Sequence, residues 1–186
     1  MIIQELTVGI VQTRCYILSA ENGTECIVID PGAEVDRIRK AAGSKKIAAI
    51  LLTHGHFDHI GAVGALMEEG TRLFIHAADA PMLSDPDLNA GRSLLRRNIT
   101  APEPTDRVRE GEELDLAGLK VKVLHTPGHT MGSVCYEIEG ELFTGDTLFD
   151  QGWGRTDLPG GSEAMMADSL RRLVPLSKVM PIHAGH

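Results

Sequence analysis

Residues Ile47-Ala48-Ala49-Ile50-Leu51-Leu52 form an unbroken apolar run, and Thr53-His54-Gly55-His56-Phe57-Asp58-His59 follows with no spacer. Six apolar residues without alternation are expected for a strand buried on both faces, which points to an α/β sheet. In such sheets function collects at strand exits, so a histidine-rich segment here is read as a site rather than as a solvated turn. Imidazole nitrogen and carboxylate oxygen are ligands for zinc, iron or manganese. Successive residues of a loop face different directions, so His54 and His56 can serve one metal while Asp58 and His59 serve another. Gly55 frees the backbone between the first two.

The rest of the chain divides by periodicity and turn signals. Met1 to Ile10, Gln12 to Ser19 and Glu25 to Asp30 read as an antiparallel meander, with Glu21-Asn22-Gly23-Thr24 as one of its turns. Val35, Ile38 and Ala42 recur at helical spacing, and a second helix is predicted from Ile60 to Glu69, ended by Gly70. Arg72 to His76 is a strand, and a helix is expected to start near Ala78. Pro81, Pro86, Pro102 and Pro104 break up the segment to Arg109, the kind of insertion that shapes a substrate pocket. Beyond it, Glu113 to Leu116, Leu119 to His125, Val134 to Ile138 and Glu141 to Phe143 are strands. Glu163 to Val174 is a helix and Lys178 to His183 a last strand. This order suits two packed mixed sheets flanked by helices, built as one domain over residues 1–186.

Composition narrows the function. The 186 residues carry 18 Lys+Arg against 26 Asp+Glu, a formal charge of −8, which argues against nucleic acid as a partner. No apolar stretch is long enough for a bilayer, so no membrane partner is expected. Cys15, Cys26 and Cys135 cannot form a complete disulfide set and form no C-x-x-C pair; they are read as core residues in a cytoplasmic protein.

Further motifs lie downstream. Thr126-Pro127-Gly128-His129-Thr130-Met131-Gly132 follows one strand, and Phe143-Thr144-Gly145-Asp146-Thr147-Leu148-Phe149 contains another strand exit. With His54 to His59 as H-x-H-x-D-H, the chain resembles the metallo-β-lactamase superfamily. The resemblance implies a four-layer αββα sandwich and two divalent metal ions, zinc first, with iron or manganese also open. It implies His54, His56, Asp58, His59 and His129 as ligands and Asp146 as the carboxylate that bridges the two metals. The family closes on P-G-H-G, whereas this chain ends Met180-Pro181-Ile182-His183-Ala184-Gly185-His186. His186 keeps the preceding glycine and is the preferred last ligand; His183, which keeps the proline two residues before it, is the alternative. A family member would continue past this histidine, so the chain is expected to lack a C-terminal tail.

Gly154-Arg155-Thr156-Asp157 with Pro159-Gly160-Gly161 is similar to stretches of the glyoxalase II-like and persulfide dioxygenase branches. The implied activity is hydrolysis of a small thioester such as S-lactoylglutathione, or a related hydroxyacyl thioester, through a metal-bridging hydroxide. Asp58 and Asp146 are its catalytic carboxylates, and Asp58 can also accept a proton or steer the water. The alternatives are a mononuclear-iron persulfide dioxygenase using His54, His129 and Asp146, or a lactonase or phosphodiesterase. Arg155 is a candidate for binding an anionic substrate or for bracing its loop against Asp157. His76 and His125 are read as supporting residues, and a monomer or homodimer is expected. The longer glyoxalase II enzymes hold glutathione on a C-terminal helical region absent from this chain, so the thiol carrier stays open.

Overall fold

The computed structural model describes residues 1–186. Strands β1 (Ile2–Val8), β2 (Thr13–Ser19), β3 (Glu25–Ile29), β4 (Lys46–Leu51), β5 (Arg72–His76) and β6 (Asp106–Val108) lie in sequence order in one sheet. The first three pair antiparallel and the last four pair parallel. Strands β7 (Glu113–Leu116), β8 (Leu119–His125), β9 (Val134–Ile138), β10 (Glu141–Gly145) and β11 (Ile182–Ala184) form the second sheet, in which only β10 and β11 run parallel. Both sheets are therefore mixed.

Side-chain alternation builds four layers from these strands, because successive residues of a strand face opposite sides. Cys15, Ile17, Cys26 and Val28 turn outward onto α1 (Val35–Ala42), α2 (Phe57–Ile60) and α3 (Val63–Leu66), meeting Ile38, Ile60 and Leu66. Tyr16, Leu18, Ile27, Ile29 and Leu51 turn inward and meet Val121, Val123, Tyr136 and Phe143 of the second sheet. Leu124, Cys135 and Leu142 face outward again, onto Leu173 of α4 (Glu163–Ser177). The outcome is the α/β architecture of two mixed sheets between helical layers. All three cysteines are free and buried in it. No helix is long and apolar enough to cross a membrane.

Several expected boundaries are corrected. The helix expected from Ile60 to Glu69 is two single turns, and the first begins at Phe57, so Asp58 and His59 sit on a helix rather than in a loop. Packing explains the break: a Cβ at Gly61 would lie 2.3 Å from the Gly32 carbonyl oxygen, and Ala62 N donates to Pro31 O at 2.9 Å. The helix expected near Ala78 is a 3-10 turn, Ala80–Leu83, with Pro81 in its first turn. A π turn, Gly91–Leu95, follows between left-handed Ala90 and Arg96. Helix α4 runs through Pro175 to Ser177, three residues beyond the expected end. The last strand shrinks to Ile182–Ala184, because the chain leaves α4 only at Lys178.

Candidate metal centre

The C-terminal ends of β4, β8, β10 and β11 open on the same side of the sandwich and deliver seven side chains to one place. His54 leaves β4 directly, while His56 caps α2 and puts Asp58 and His59 on its first turn. His129 stands in the turn after β8, Asp146 follows Gly145 of β10, and His186 follows β11. Three overlapping groups result: His54, His56 and His129; His54, His59 and Asp146; and Asp58, His59 and His186, with the ligating atoms of each group within 4.8 Å of one another. Asp146 lies between them. Its Oδ2 is 3.5 Å from both His129 Nε2 and His186 Nε2, and its Oδ1 is 3.4 Å from His59 Nε2.

The two C-terminal histidines part ways. His183 Nε2 pairs with Glu141 Oε2 at 2.9 Å, and its ring stacks on Phe143 at 4.6 Å, away from the other imidazoles. His186 Nε2 lies 3.3 Å from Asp58 Oδ2. The glycine before it is needed for space: a Cβ at Gly185 would sit 2.1 Å from Asp146 Oδ1.

The orphaned atoms test whether metal ions suit these residues. His54 Nε2, His56 Nε2, both nitrogens of His59 and Asp146 Oδ1 are buried without a hydrogen-bond partner. His59 Nδ1 does lie 3.0 Å from Asp30 Oδ2, a close approach outside hydrogen-bond alignment. Buried polar atoms normally have partners, so the orphaned His54 Nε2, His59 Nε2 and Asp146 Oδ1, from one of the three groups, fit cation coordination. His56 Nδ1 and His129 Nε2, only 2.8 Å apart, fit the same reading as two lone pairs facing one ion.

Electrostatics set the protonation states. Burial, reinforced by His59, His129 and His56, holds His54 well below the ordinary imidazole value. Burial, reinforced by His129, lowers His56 to about 3. For Asp58 burial pushes the pKa up, but His59, His186 and the Thr13 hydroxyl outweigh it and leave the carboxyl well below its usual range. Asp146 is lowered in the same manner, chiefly by His59 against the effect of burial. Burial opposes the proton on His59 too, yet Asp58, Asp30 and Asp146 raise it well above normal. The cluster thus offers His54 and His56 as neutral imidazoles and Asp58 and Asp146 as ionised carboxylates.

Supporting residues that the sequence did not reveal surround the centre. Thr13 Oγ1 donates to Asp58 Oδ2 at 2.8 Å. Asp30, at the exit of β3, accepts from Thr53 N at 2.8 Å and Thr53 Oγ1 at 2.6 Å. A strand-exit signal like that of His54 marks Asp30 in the sequence, and its left-handed φ of 50° suits a short polar side chain. The backbone carbonyl of Arg155 accepts from His129 Nδ1 at 2.7 Å, the usual way an imidazole is oriented for a metal. The Arg155 guanidinium is engaged by Asp157 in two bonds of 2.7 and 2.8 Å. His76 and His125 stack on one another at 4.1 Å. A cavity of about 1240 Å³ lies between α4 and the Phe149–Trp153 turn, and no candidate ligand lines it. Phe149 of its lining has its ring 6.3 Å from that of His186.

Two mixed sheets between helices, with a histidine and aspartate cluster across their shared edge, define a metallo-hydrolase. The chain belongs to the metallo-beta-lactamase superfamily, whose sequence profile matches residues 8–186. It is 35% identical over 190 residues to the probable metallo-hydrolase YqgX of Bacillus subtilis, covering 98% of this chain and 89% of that protein. It is 38% identical over 173 residues to a hydroxyacylglutathione hydrolase of Aeromonas hydrophila, covering 92% of this chain but 60% of that one. Among solved structures, the BLEG-1 B3 metallo-beta-lactamase superposes with a TM-score of 0.92 at 35% identity, covering 100% of this chain and 91% of that one. TTHA1623, crystallised in a di-iron-bound form, gives 0.86 at 35% identity, with coverages of 98% and 91%. ETHE1 from Myxococcus xanthus gives 0.80 at 31% identity, with coverages of 100% and 76%.

Proposed function

We propose that the protein is a binuclear thioester hydrolase acting on a hydroxyacyl thioester of a small thiol. The observation that carries the reading is the meeting of orphaned buried atoms of His54, His59 and Asp146 in one of three overlapping ligand groups. His54, His56 and His129 would hold one divalent ion and Asp58, His59 and His186 the other, with Asp146 between them. Bound there, the ions would supply Lewis acidity, making water a nucleophile near neutral pH and stabilising negative charge on a carbonyl oxygen.

The protein's own residues do the rest. Thr13 and Asp30 orient Asp58, Thr53 and His59, and the Arg155 carbonyl keeps His129 Nε2 facing inward. Asp58, ionised and partly exposed, can accept a hydrogen bond from the attacking water and steer it. The remaining hydrogen-bond partners of these side chains are hydroxyls, carboxylates and backbone carbonyls, with no strong acid beside them to protonate a leaving group. A thiolate departs without one, which favours a thioester over an amide. The Aeromonas hydroxyacylglutathione hydrolase likeness supports this substrate class. Zinc is the proposed metal, with iron or manganese the other choices; the TTHA1623 likeness favours testing iron. The substrate partner is thus a small molecule, and the protein is proposed to act as a monomer or homodimer.

A second reading is one iron held by His54, His129 and Asp146, performing oxygen chemistry on a persulfide; the 3.5 Å approach of His129 Nε2 to Asp146 Oδ2 favours it. Elemental analysis followed by a thioester panel separates the two. Two metal equivalents and thioester cleavage are expected, both lowered by orders of magnitude in Asp146→Ala with the fold retained. A single iron with oxygen uptake on a persulfide, or full thioesterase activity in Asp146→Ala, would overturn the hydrolase reading.

A further inference from the structure

Three of the proposed ligands come from two separate loops, and one buried carboxylate outside the ligand set touches both. Asp79 follows β5 and is 1% exposed. Its Oδ2 accepts from Gly55 N at 3.1 Å and from Thr130 Oγ1 at 2.6 Å, and its Oδ1 accepts from Gly132 N at 2.7 Å. Gly55 stands between His54 and His56, and Thr130 is the neighbour of His129. The carboxylate therefore grips the backbone next to all three imidazoles at once. No lysine or arginine pairs with it; its charge is met by these three donors.

Close packing leaves the clasp little slack. A Cβ at Gly132 would lie 2.6 Å from Asp79 Oδ1, and one at Gly55 would lie 2.6 Å from Met82 Cβ and 3.1 Å from the Asp79 carbonyl oxygen. A second tie joins the same two regions on the far side. The His76 and His125 rings are stacked with an 8° interplanar angle, and His125 Nε2 donates to Met131 O at 3.0 Å. His76 Nδ1 accepts from Ala78 N at 3.2 Å, one residue before Asp79.

We infer that Asp79 is a positioning residue that sets the distance between the His54–His56 loop and the His129 loop, and thereby the metal affinity of that three-histidine group. The inference rests on the metal reading proposed above. A carboxylate is required because both of its oxygens accept, whereas an asparagine amide offers one acceptor and must abandon at least one of the three donors. Thr130 supplies the one side-chain donor, so removing its hydroxyl is a milder form of the same lesion.

The test measures Zn²⁺ stoichiometry and affinity by chelator competition on the full chain. It compares wild type, Asp79→Asn, Thr130→Val and Thr130→Ser, with His129→Ala marking which equivalent belongs to the three-histidine group. Circular dichroism checks the fold. Asp79→Asn and Thr130→Val are expected to weaken that one equivalent by about 10- to 100-fold while the other keeps its affinity, and Thr130→Ser to restore it. Wild-type affinity at both positions in Asp79→Asn and Thr130→Val overturns the inference, as does equal weakening of both equivalents, which would mark a general brace. If Asp79→Asn does not fold, Thr130→Val and its serine rescue decide. Wild type that takes up no Zn²⁺ sinks the metal reading and this inference together, whereas two equivalents bound with wild-type affinity in both variants sink the inference alone.

Discussion

His54 and His56 are buried imidazoles that the fold holds neutral, and acid should expose this in the metal-free protein. His56 takes its proton in the native state only at about 3, whereas in an unfolded chain it does so near ~6.5. Below ~6.5 the unfolded state therefore binds more protons, and native stability falls by up to about 1.4 kcal/mol per pH unit and per imidazole. His59 and His186 are shifted upward, so their contribution is complete below ~6.5, offsets none of this loss, and is itself lost only as pH rises. Chelator-treated protein should thus melt at steadily lower temperature from pH 6.5 towards 4, and His56→Ala should lessen the slope. An unchanged slope in the variant would contradict the assignment. Gly185 supplies a second prediction at this scale: Gly185→Ala should cost at least about tenfold in metal affinity, because its Cβ would be 2.1 Å from Asp146 Oδ1. Chelator competition reads it.

Between elements, two tyrosines fasten the strands that carry the centre. Tyr136 of β9 donates to Leu52 O at 2.9 Å between the two sheets, next to the start of the histidine segment. Tyr16 of β2 donates to Ala184 O at 2.6 Å and so fastens β11, two residues before His186. Tyr136→Phe leaves a buried carbonyl unpaired and should destabilise by about 1–3 kcal/mol in urea unfolding. Tyr16→Phe should additionally weaken the metal position that involves His186, and metal titration beside unfolding separates the two effects. The elements themselves were largely legible. The apolar run at β4, the period-2 strands β7 and β8 and the helical spacing of α1 each carry a local signal strong enough to survive tertiary packing. The split of the second helix was not legible, because its cause is the Gly32 carbonyl pressing on Gly61 from a turn 29 positions earlier in the numbering.

For the whole molecule, the centre is a joint between sheets: β4 brings its imidazoles from one, and β8, β10 and β11 bring His129, Asp146 and His186 from the other. Metal bound at such a joint binds only the native state, so it should raise the unfolding temperature in proportion to the logarithm of free metal over its dissociation constant. Removing metal with a chelator should lower the melting temperature by several degrees, and re-adding two equivalents should restore it. A melting temperature indifferent to metal would contradict ligands drawn from both sheets. The charge of −8 also has a local meaning, because Asp58 and Asp146 lie within the cluster that bound cations would neutralise.

The sequence by itself determined most of the succession of strands along the chain, though not β6, together with the α/β class and the residue types of the centre, because strand periodicity and motif spacing are local properties. Tertiary structure alone decided that His183 is spent on Glu141 and Phe143 while His186 reaches Asp58 and Asp146, since a strand sends residues three apart in different directions once its pairing is set. It also decided the part played by Asp79. That residue lies in a stretch without periodicity, and its importance comes from donors 24 to 53 positions away that only the packed chain brings within hydrogen-bond reach.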